Sequence, residues 1–236
     1  MIASIHQPHF LPWMGYLNKV LHSDVFVWLH SVQFRKNYYQ NRTKIKNITG
    51  APLWLTLPVH AHLDSRVDEV MIADPRWKRR IQKTIEQCYR GAPFFTGCRD
   101  PIEDAIEASS DNLNDVNLRT FRALLDLLAP GKIRLVLIDD LEVEDTDPTG
   151  RLVEVCRRVG ATRYIAGKGG ANYLQVEQFR NAMIQVLWQE FNPEKVVYPQ
   201  LGDTFVPGLS VVDCLFNNGP DATRAYISQA WSPTPL

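Results

Sequence analysis

Residues 2–29 read IASIHQPHFLPWMGYLNKVLHSDVFVWL, and this stretch decides the fold class. A short apolar run at 2–6 is compatible with a strand, and the loop that follows it contains two prolines and a glycine. Residues 16–22 then carry apolar side chains at helical spacing. Asp24 precedes a second apolar run, 25–29, with the length and composition of a buried strand. Strand, loop, helix and strand in this order predict a βαβ unit with parallel strands.

The same alternation continues along the chain. Further strands are predicted at residues 53–59, 133–138, 164–166 and 185–188, and helices at 75–89, 101–128, 149–159 and 209–217. The acidic stretch 139–147 is interpreted as a solvated loop. Alternating strands and helices predict an α/β fold with a mostly parallel, Rossmann-like sheet. We expect one domain over residues 1–236, with a helical subregion around 75–128.

Composition argues against several classes of protein. The 26 basic and 26 acidic residues give a formal net charge of zero, so no global field draws the chain to nucleic acid or to an anionic membrane. The four cysteines are scattered without a Cys-x-x-Cys pair, which argues against a zinc cage or a disulfide framework. No signal peptide and no apolar stretch of membrane-spanning length is visible. We therefore expect a cytoplasmic protein without membrane insertion, metal or cofactor, whose oligomeric state stays open.

The loop after the first predicted strand is the first candidate site. In open α/β sheets, ligands lie beyond the carboxyl ends of strands, where the next helix offers free N–H groups to anions. His6, Gln7 and His9 bring two imidazoles and an amide to that position. The alternative is that the prolines and Trp13 fix a buried turn, in which the histidines satisfy backbone groups.

Residues 33–46 form the second candidate, a cationic segment with five basic residues. No acid occurs between Asp24 and Asp64. In a chain of zero net charge this one-signed stretch concentrates positive potential, and Arg and Lys side chains bind phosphate groups. The alternative is a solvated surface, but the interleaved aromatic and amide side chains fit a recognition surface better.

Later segments carry weaker signals. Residues 167–174 contain a glycine-rich loop after a predicted strand, but they lack the spacing of a P-loop. Ser210 and Asp213 have the spacing of a helix capping box, so a structural role explains them at least as well as catalysis. The pair His60 and His62 is interpreted as a surface turn. No Gly-x-Ser-x-Gly or His-Glu-x-x-His motif occurs, which gives acyl-enzyme hydrolysis and zinc chemistry little support.

Several short motifs, taken together, resemble the WbqC-like family over nearly the whole chain. They are His6-Gln7-Pro8, Phe10-Leu11-Pro12-Trp13, Gly15-Tyr16, Val32-Gln33-Phe34, Gln40-Asn41-Arg42, Ala92-Pro93-Phe94-Phe95, Tyr198-Pro199-Gln200, Leu209-Ser210 with Asp213, and Leu215-Phe216-Asn217. The resemblance implies a bacterial transferase of surface-polysaccharide synthesis, or a phage enzyme that transfers an amino acid to a modified base in DNA. The family commonly has an acidic pair where this chain has His30-Ser31. If those acids act as bases elsewhere, His30 takes that role here or the role is absent.

The residues and the resemblance together give a set of site predictions. The predicted catalytic residues are His6, Gln7, His30 and Gln33. The residues predicted to bind phosphate or the acceptor are His9, Tyr16, Lys19, Arg35, Lys36, Asn37, Tyr38, Asn41, Arg42, Lys44 and Lys168. The residues predicted to contact substrate are Trp13, Tyr173, Tyr198, Gln200, Ser210, Asp213 and Asn217.

The leading prediction is a transferase that joins a glycine-like amino acid, or an acyl group, to a phosphorylated or nucleotide-linked acceptor. In this scheme His6 or His30 manages the proton of the attacking group, while Gln33 and Asn41 orient it. One alternative is an amino acid:DNA transferase, in which an amino-acid nitrogen displaces pyrophosphate from an activated modified thymidine, in a bacterium or a phage-infected host. The second alternative is a nucleotide- or nucleic-acid-binding module without turnover.

Overall fold

The computed structural model describes residues 1–62, 64–143 and 147–233. Its strands are β1 (Ile2–His6), β2 (Val25–Trp28), β3 (Arg42–Lys46), β4 (Pro52–Thr56), β5 (Val59–His60), β6 (Met71–Ile72), β7 (Arg134–Leu137), β8 (Arg163–Ala166) and β9 (Gln185–Trp188). Its helices are α1 (Met14–Leu21), α2 (Trp77–Tyr89), α3 (Phe95–Glu107), α4 (Leu113–Leu128), α5 (Pro148–Val159), α6 (Val176–Asn181) and α7 (Val211–Gln229). β3 pairs with β4 and β5 with β6 in two small antiparallel sheets, while the other strands form one parallel sheet.

The strand order of the large sheet, β7-β2-β1-β8-β9, gives it a Rossmann-like topology. From β1 the chain adds β2 and then β7 on one side, and it crosses back to add β8 and β9 on the other. The sheet therefore has a topological switch point between β1 and β8, where Ser4 pairs with Ile165. In such sheets the strand ends at the switch point open into a crevice that binds ligands. The prediction of an α/β fold with a parallel, Rossmann-like sheet is confirmed.

Helices cover both faces of the sheet, because alternate strand residues point to opposite sides. Phe26 and Trp28 of β2 pack against Phe121 of α4, with ring centroids 5.2 and 5.0 Å apart, on the face that α1 and α7 also cover. Ala3 and Ile5 of β1 belong to the core under α5 and α6 on the opposite face. Burial on both faces explains why these strands are continuous apolar runs in the sequence.

Two predicted elements have different limits in the structure. The helical stretch 101–128 is divided into α3, which begins upstream of it, and α4. The division arises because the side chain of Asn112 accepts hydrogen bonds from two backbone N–H groups and starts a new helix. The strand predicted at 53–59 ends before Pro58, which has no N–H group to donate to a neighbouring strand.

The last predicted helix continues well beyond its expected end, because α7 passes through a kink. The kink lies at Gly219, whose φ is 77°, immediately before Pro220. Proline disfavours the helical conformation in the residue before it, and glycine adopts a positive φ without a steric penalty. The acidic stretch 139–147, predicted as a loop, begins in a 3₁₀ turn at Ile138–Leu141, and 144–146 lie outside the described residues.

Candidate functional site

A cleft of about 1180 Å³ opens at the carboxyl ends of β1 and β8, at the switch point of the sheet. The loop after β1, the cationic segment 33–46 and the turns after β8 and β9 contribute most of its lining. His6, His9, Tyr16 and Lys19 form the floor of the cleft. This position is where the strand order predicts a ligand site.

His6 is the last residue of β1 and is partly exposed to the cleft. Its Nδ1 lies 2.9 Å from the carbonyl oxygen of Gln7. A proton on Nδ1 is donated to that carbonyl and leaves Nε2 as a hydrogen-bond acceptor. Burial, and after it the neighbouring Lys19 and His9, lower the pKa of His6 well below 6.5. The ring is therefore neutral at pH 7.

His9 is almost fully buried and stacks on Tyr39, with ring centroids 5.4 Å apart. Neither of its ring nitrogens has a hydrogen-bond partner among the described residues. Burial is the main cause that lowers the pKa of His9 to about 3, and Lys19 adds to it. Tyr16 contacts the rings of His6 and His9 and donates its hydroxyl to the carbonyl of Gln7 at 3.2 Å. Both histidines of the floor are thus neutral.

Lys19 lies on α1 with only 4% of its surface exposed. Helical side chains lean towards the N-terminus of their helix, which directs the Lys19 ammonium group towards the cleft that it lines. Its Nζ lies 3.5 Å from the point that a Cβ atom would occupy on Gly167. Burial lowers the pKa of Lys19 from 10.5 to about 7. This side chain therefore changes its charge near neutral pH.

Gln40 ties the cationic segment to the loop after β1. Its Nε2 donates to Oε1 of Gln7 at 3.1 Å, and its Oε1 accepts from the backbone N–H of Arg35 at 2.6 Å. Gln40 is fully buried, and its carbonyl oxygen accepts from the side chain of Asn117 on α4 at 2.8 Å. These bonds fix the position of Arg35 relative to the floor.

The lining of the cleft is predominantly cationic. Among the lining residues that the structure describes, the basic ones are Lys19, Arg35, Lys44, Arg151 and Lys168, and the acidic one is Glu194. The guanidinium of Arg151 is held by Ser31, at 2.6 Å from its hydroxyl and 3.3 Å from its carbonyl oxygen. A lining with this excess of positive charge concentrates anions, although the whole chain has no net charge.

Part of the predicted site is assembled in the cleft, and part lies elsewhere. The predicted residues that line the cleft are His6, Gln7, His9, Trp13, Tyr16, Lys19, Gln33, Arg35, Tyr38, Lys44, Lys168 and Tyr173. Those that do not line it are His30, Lys36, Asn37, Asn41, Arg42, Tyr198, Gln200, Ser210, Asp213 and Asn217. The structure thus combines the first candidate loop, part of the cationic segment and the glycine-rich turn, while Pro207 and Gly208 line the cleft and Ser210 itself does not.

Several of the residues outside the lining have well-defined partners. His30 lies between two carboxylates, with Nδ1 3.5 Å from Asp68 and Nε2 3.3 Å from Asp139. Arg42 of β3 stacks on the ring of Trp54 in β4, with its guanidinium carbon 4.1 Å from the ring centroid. These contacts place both side chains beside the cleft rather than inside it.

Ser210 caps α7, as its spacing in the sequence predicts. Its Oγ accepts from the backbone N–H of Val212 at 3.4 Å and donates to the carbonyl oxygen of Leu11 at 2.7 Å. The backbone N–H of Val211 donates to the carbonyl oxygen of Pro12 at 2.9 Å. The start of α7 therefore holds the loop after β1 in position.

Asp213 is fully buried in the first turn of α7 and turns towards α2 instead of back to the cap. Its Oδ2 accepts from the hydroxyl of Tyr89 at 2.9 Å, and the hydroxyl of Tyr198 faces the same carboxyl group. Burial raises the pKa of Asp213 from 3.8 to about 6, and the two hydroxyls and Lys46 oppose that rise. Asn217 donates to the carbonyl oxygen of Asp213 at 2.8 Å. These contacts anchor α7 in the core.

Gln40, Arg151 and Gln189 line or support the cleft but are not among the predicted site residues, although Gln40 belongs to one of the motifs named above. Gln189 directly follows β9, and its Nε2 donates to the carbonyl of Gly15 and to Oδ1 of Asn18, both at 2.8 Å. The rule that ligands lie beyond strand ends, applied to β9, points to this residue. Arg151 lies in the middle of a helix, where a basic residue carries no signal of its own.

The described part of the chain offers neither a metal cluster nor a membrane span. No group of three His, Cys, Asp or Glu side chains there has the arrangement of a metal site. No helix there combines the length and the apolar character that crossing a membrane requires. The four cysteines are free thiols.

The fold and the cleft define an α/β protein of the Rossmann-like class, with its candidate site at the switch point of the sheet. Residues 7–225 match the WbqC-like protein family. The chain belongs to this family. It is similar to "Uncharacterized protein Rv1507c" of Mycobacterium tuberculosis (strain ATCC 25618 / H37Rv), with 29% identity over 223 residues that cover 93% of this chain and 95% of that protein. No solved structure matches the chain.

Proposed function

We propose that this protein is a transferase that joins a glycine-like amino acid, or an acyl group, to a phosphorylated or nucleotide-linked acceptor. The observation that carries the proposal is the neutral ring of His6 in the floor of a cation-lined cleft. Ligand pockets commonly have volumes of about 300–1,000 Å³. A cleft of about 1180 Å³ has room for a small donor and a larger acceptor together.

The proposed role of His6 is that of a general base. An amine attacks only as the neutral group and must lose a proton once the new bond has formed. The hydrogen bond from Nδ1 to Gln7 leaves Nε2 of His6 as the acceptor for that proton. The nitrogen–carbon bond then forms as the bond to the phosphate leaving group breaks, and the proton passes from nitrogen to His6.

The cations of the lining are assigned to the acceptor. Arg35 and Lys168 are exposed at the rim of the cleft. Lys44 also lines the cleft and is half-buried. A guanidinium binds phosphate oxygens through two parallel hydrogen bonds, and an ammonium acts as a point charge. Both kinds of group stabilise negative charge that develops on a leaving phosphate.

The proposal is tested by incubating the full chain with glycine and a panel of activated acceptors, and by searching for joined products with mass spectrometry. The panel contains sugar nucleotides, acyl phosphates and DNA with pyrophosphorylated bases. We expect one class to give a product, and we expect His6→Gln to reduce its rate by about 10²–10⁴-fold, the usual contribution of a general base.

His62→Gln is the matched control, because His62 is exposed and does not line the cleft. We expect it to keep the wild-type rate. Equal rates for the two variants would remove His6 from the mechanism. Steeply salt-dependent binding of nucleotides or DNA, with no product from any acceptor, would favour a binding module instead.

A specific feature of the β3–β4 hairpin favours the amino acid:DNA transferase as the second candidate. The ring of Trp54 is 39% exposed, with Arg42 stacked on it and Nζ of Lys44 5.2 Å from its centroid. Aromatic and cationic side chains in this arrangement bind single-stranded nucleic acid by stacking and charge. If DNA is the acceptor, Trp54→Ala lowers the affinity for oligonucleotides and leaves that for sugar nucleotides unchanged, which binding titrations with both ligands measure.

A further inference from the structure

The floor of the cleft contains several basic groups and, as far as the described residues extend, no acidic side chain paired with them. Lys19, His6 and His9 lie together there, and burial and mutual repulsion lower the pKa of both histidines. Within the described part of the chain, no carboxylate forms a salt bridge with Lys19. A buried lysine in a folded protein normally has a partner, because an unpaired buried charge is costly.

Among the described residues, β9 and α7 also lie near α1, and neither supplies a partner for Lys19. β9 contributes the neutral amide of Gln189, which is occupied by Gly15 and Asn18. α7 packs against α1, but the pKa of its buried Asp213 responds to Lys46 rather than to Lys19. The other aspartate of α7, Asp221, is exposed and pairs with Arg224.

The shape of the floor admits a ligand that comes close to Lys19. Gly167 at the end of β8 has no side chain, and a Cβ atom there would lie 3.5 Å from Nζ of Lys19. Both ring nitrogens of His9 also lack a hydrogen-bond partner among the described residues, although His9 is only 3% exposed. Two nearly buried polar side chains of the lining are therefore without partners at the same place.

We propose that the floor is a subsite for a doubly charged tetrahedral oxyanion, a phosphate monoester or the terminal phosphate of a pyrophosphate, bound between Lys19, His9 and Gly167. The subsite rests on the proposed function for the identity of its natural ligand, the phosphorylated acceptor. It places one phosphate group of that acceptor deep at the switch point, below the cationic rim formed by Arg35 and Lys168, which contacts the remaining negative charge of the acceptor.

Binding at this subsite has a consequence for protons. The anion binds more strongly to the ammonium form of Lys19, while the free protein at pH 8 holds that side chain mostly neutral. Each binding event at pH 8 then takes up about one proton, and the affinity falls about tenfold for each pH unit above 7.

Isothermal titration with sulfate tests both consequences. Sulfate stays doubly charged between pH 6 and pH 9, so any change in its affinity over that range reports groups of the protein. Titrations at constant ionic strength, in two buffers with different heats of ionisation, give the affinity and the proton uptake of the wild-type chain together. Affinity that is independent of pH, or binding without proton uptake at pH 8, would overturn the subsite without the need for any variant.

Variants of Lys19 test whether this side chain binds the sulfate. We expect Lys19→Met to weaken sulfate binding at pH 6.5 by about tenfold or more and to remove the pH dependence, because the charged partner is lost. We expect Lys19→Arg to bind sulfate equally at pH 6.5 and pH 9, because arginine stays charged. Lys83→Met is the matched control: Lys83 is exposed on α2 outside the lining, and we expect wild-type binding. Wild-type affinity in Lys19→Met would also overturn the subsite.

The two proposals fail separately. Proton-linked sulfate binding without a transfer product keeps the subsite and contradicts the transferase. A transfer product formed by Lys19→Met at the wild-type rate keeps the transferase and contradicts the subsite.

Discussion

Replacing Asp213 with asparagine removes a buried carboxyl group whose pKa rises from 3.8 to about 6 in the folded chain. The folded state binds the carboxyl proton of Asp213 more tightly than the unfolded state does. Its contribution to stability is therefore complete below about pH 4 and is lost as the pH rises through 6. A shift of about two pKa units corresponds to about 3 kcal/mol, of which about 2 kcal/mol falls between about pH 4.5 and 7.5.

Urea unfolding of the wild type and Asp213→Asn at both pH values measures this contribution. Asparagine keeps an oxygen that accepts from the hydroxyl of Tyr89, and it does not titrate. Other carboxyl groups change the stability of both proteins alike, so the difference between the two pH dependences isolates Asp213. We expect the variant to gain about 2 kcal/mol relative to the wild type as the pH rises from 4.5 to 7.5.

Asp221→Asn is the control, because Asp221 lies on the same helix with 91% of its side chain exposed. We expect its pH dependence to follow the wild type. If Asp213→Asn and the wild type changed in parallel between the two pH values, the carboxyl of Asp213 would have an ordinary pKa. Burial against Tyr89 and Tyr198 would then not raise the pKa of Asp213.

Three further predictions concern stability, each measured by urea unfolding. The folded state favours neutral Lys19, so the free energy of unfolding of the wild type rises by about 2 kcal/mol between pH 7 and pH 9. Lys19→Met abolishes this rise, and equal rises in the two proteins would refute the prediction. Ser210→Ala loses about 1–2 kcal/mol with its cap and its bond to Leu11, and an unchanged midpoint would contradict that role. Gly219→Ala lowers the free energy of unfolding by about 1–2 kcal/mol, because φ is 77° at this position and the new Cβ atom would lie 2.8 Å from the Phe94 ring. Gly91→Ala is the control, because a Cβ atom there has open space.

The sequence predicts the βαβ unit at the start of the chain because its signals are local. The apolar runs of β1 and β2 and the helical spacing of α1 need no information from the rest of the chain. The order of the strands is not local, because Ser4 of β1 pairs with Ile165 far along the chain. Hydrophobic spacing identifies strands that are buried on both faces but does not say which strands are neighbours.

The candidate site likewise contains residues that local sequence signals predict and residues whose environment depends on distant parts of the chain. His6 and His9 are predicted from their place between a strand and a helix, and the structure brings them into one cleft with Lys19. The unusual environment of Lys19 depends on Gly167, so no window around residue 19 indicates a buried lysine. Charge density alone also does not distinguish the cations of the cationic segment, because Lys44 lines the cleft whereas Arg42 stacks on Trp54 beside it.

The seal between the start of α7 and the loop after β1 has a consequence for the synthesis of the chain. The carbonyl oxygens of Leu11 and Pro12 accept from Ser210 and Val211, and 199 positions of the chain separate Leu11 from Ser210. During translation, the loop that follows His6 forms these hydrogen bonds only after the start of α7 has been made. In a nascent or truncated chain that lacks α7, the loop after β1 is therefore without these two hydrogen bonds.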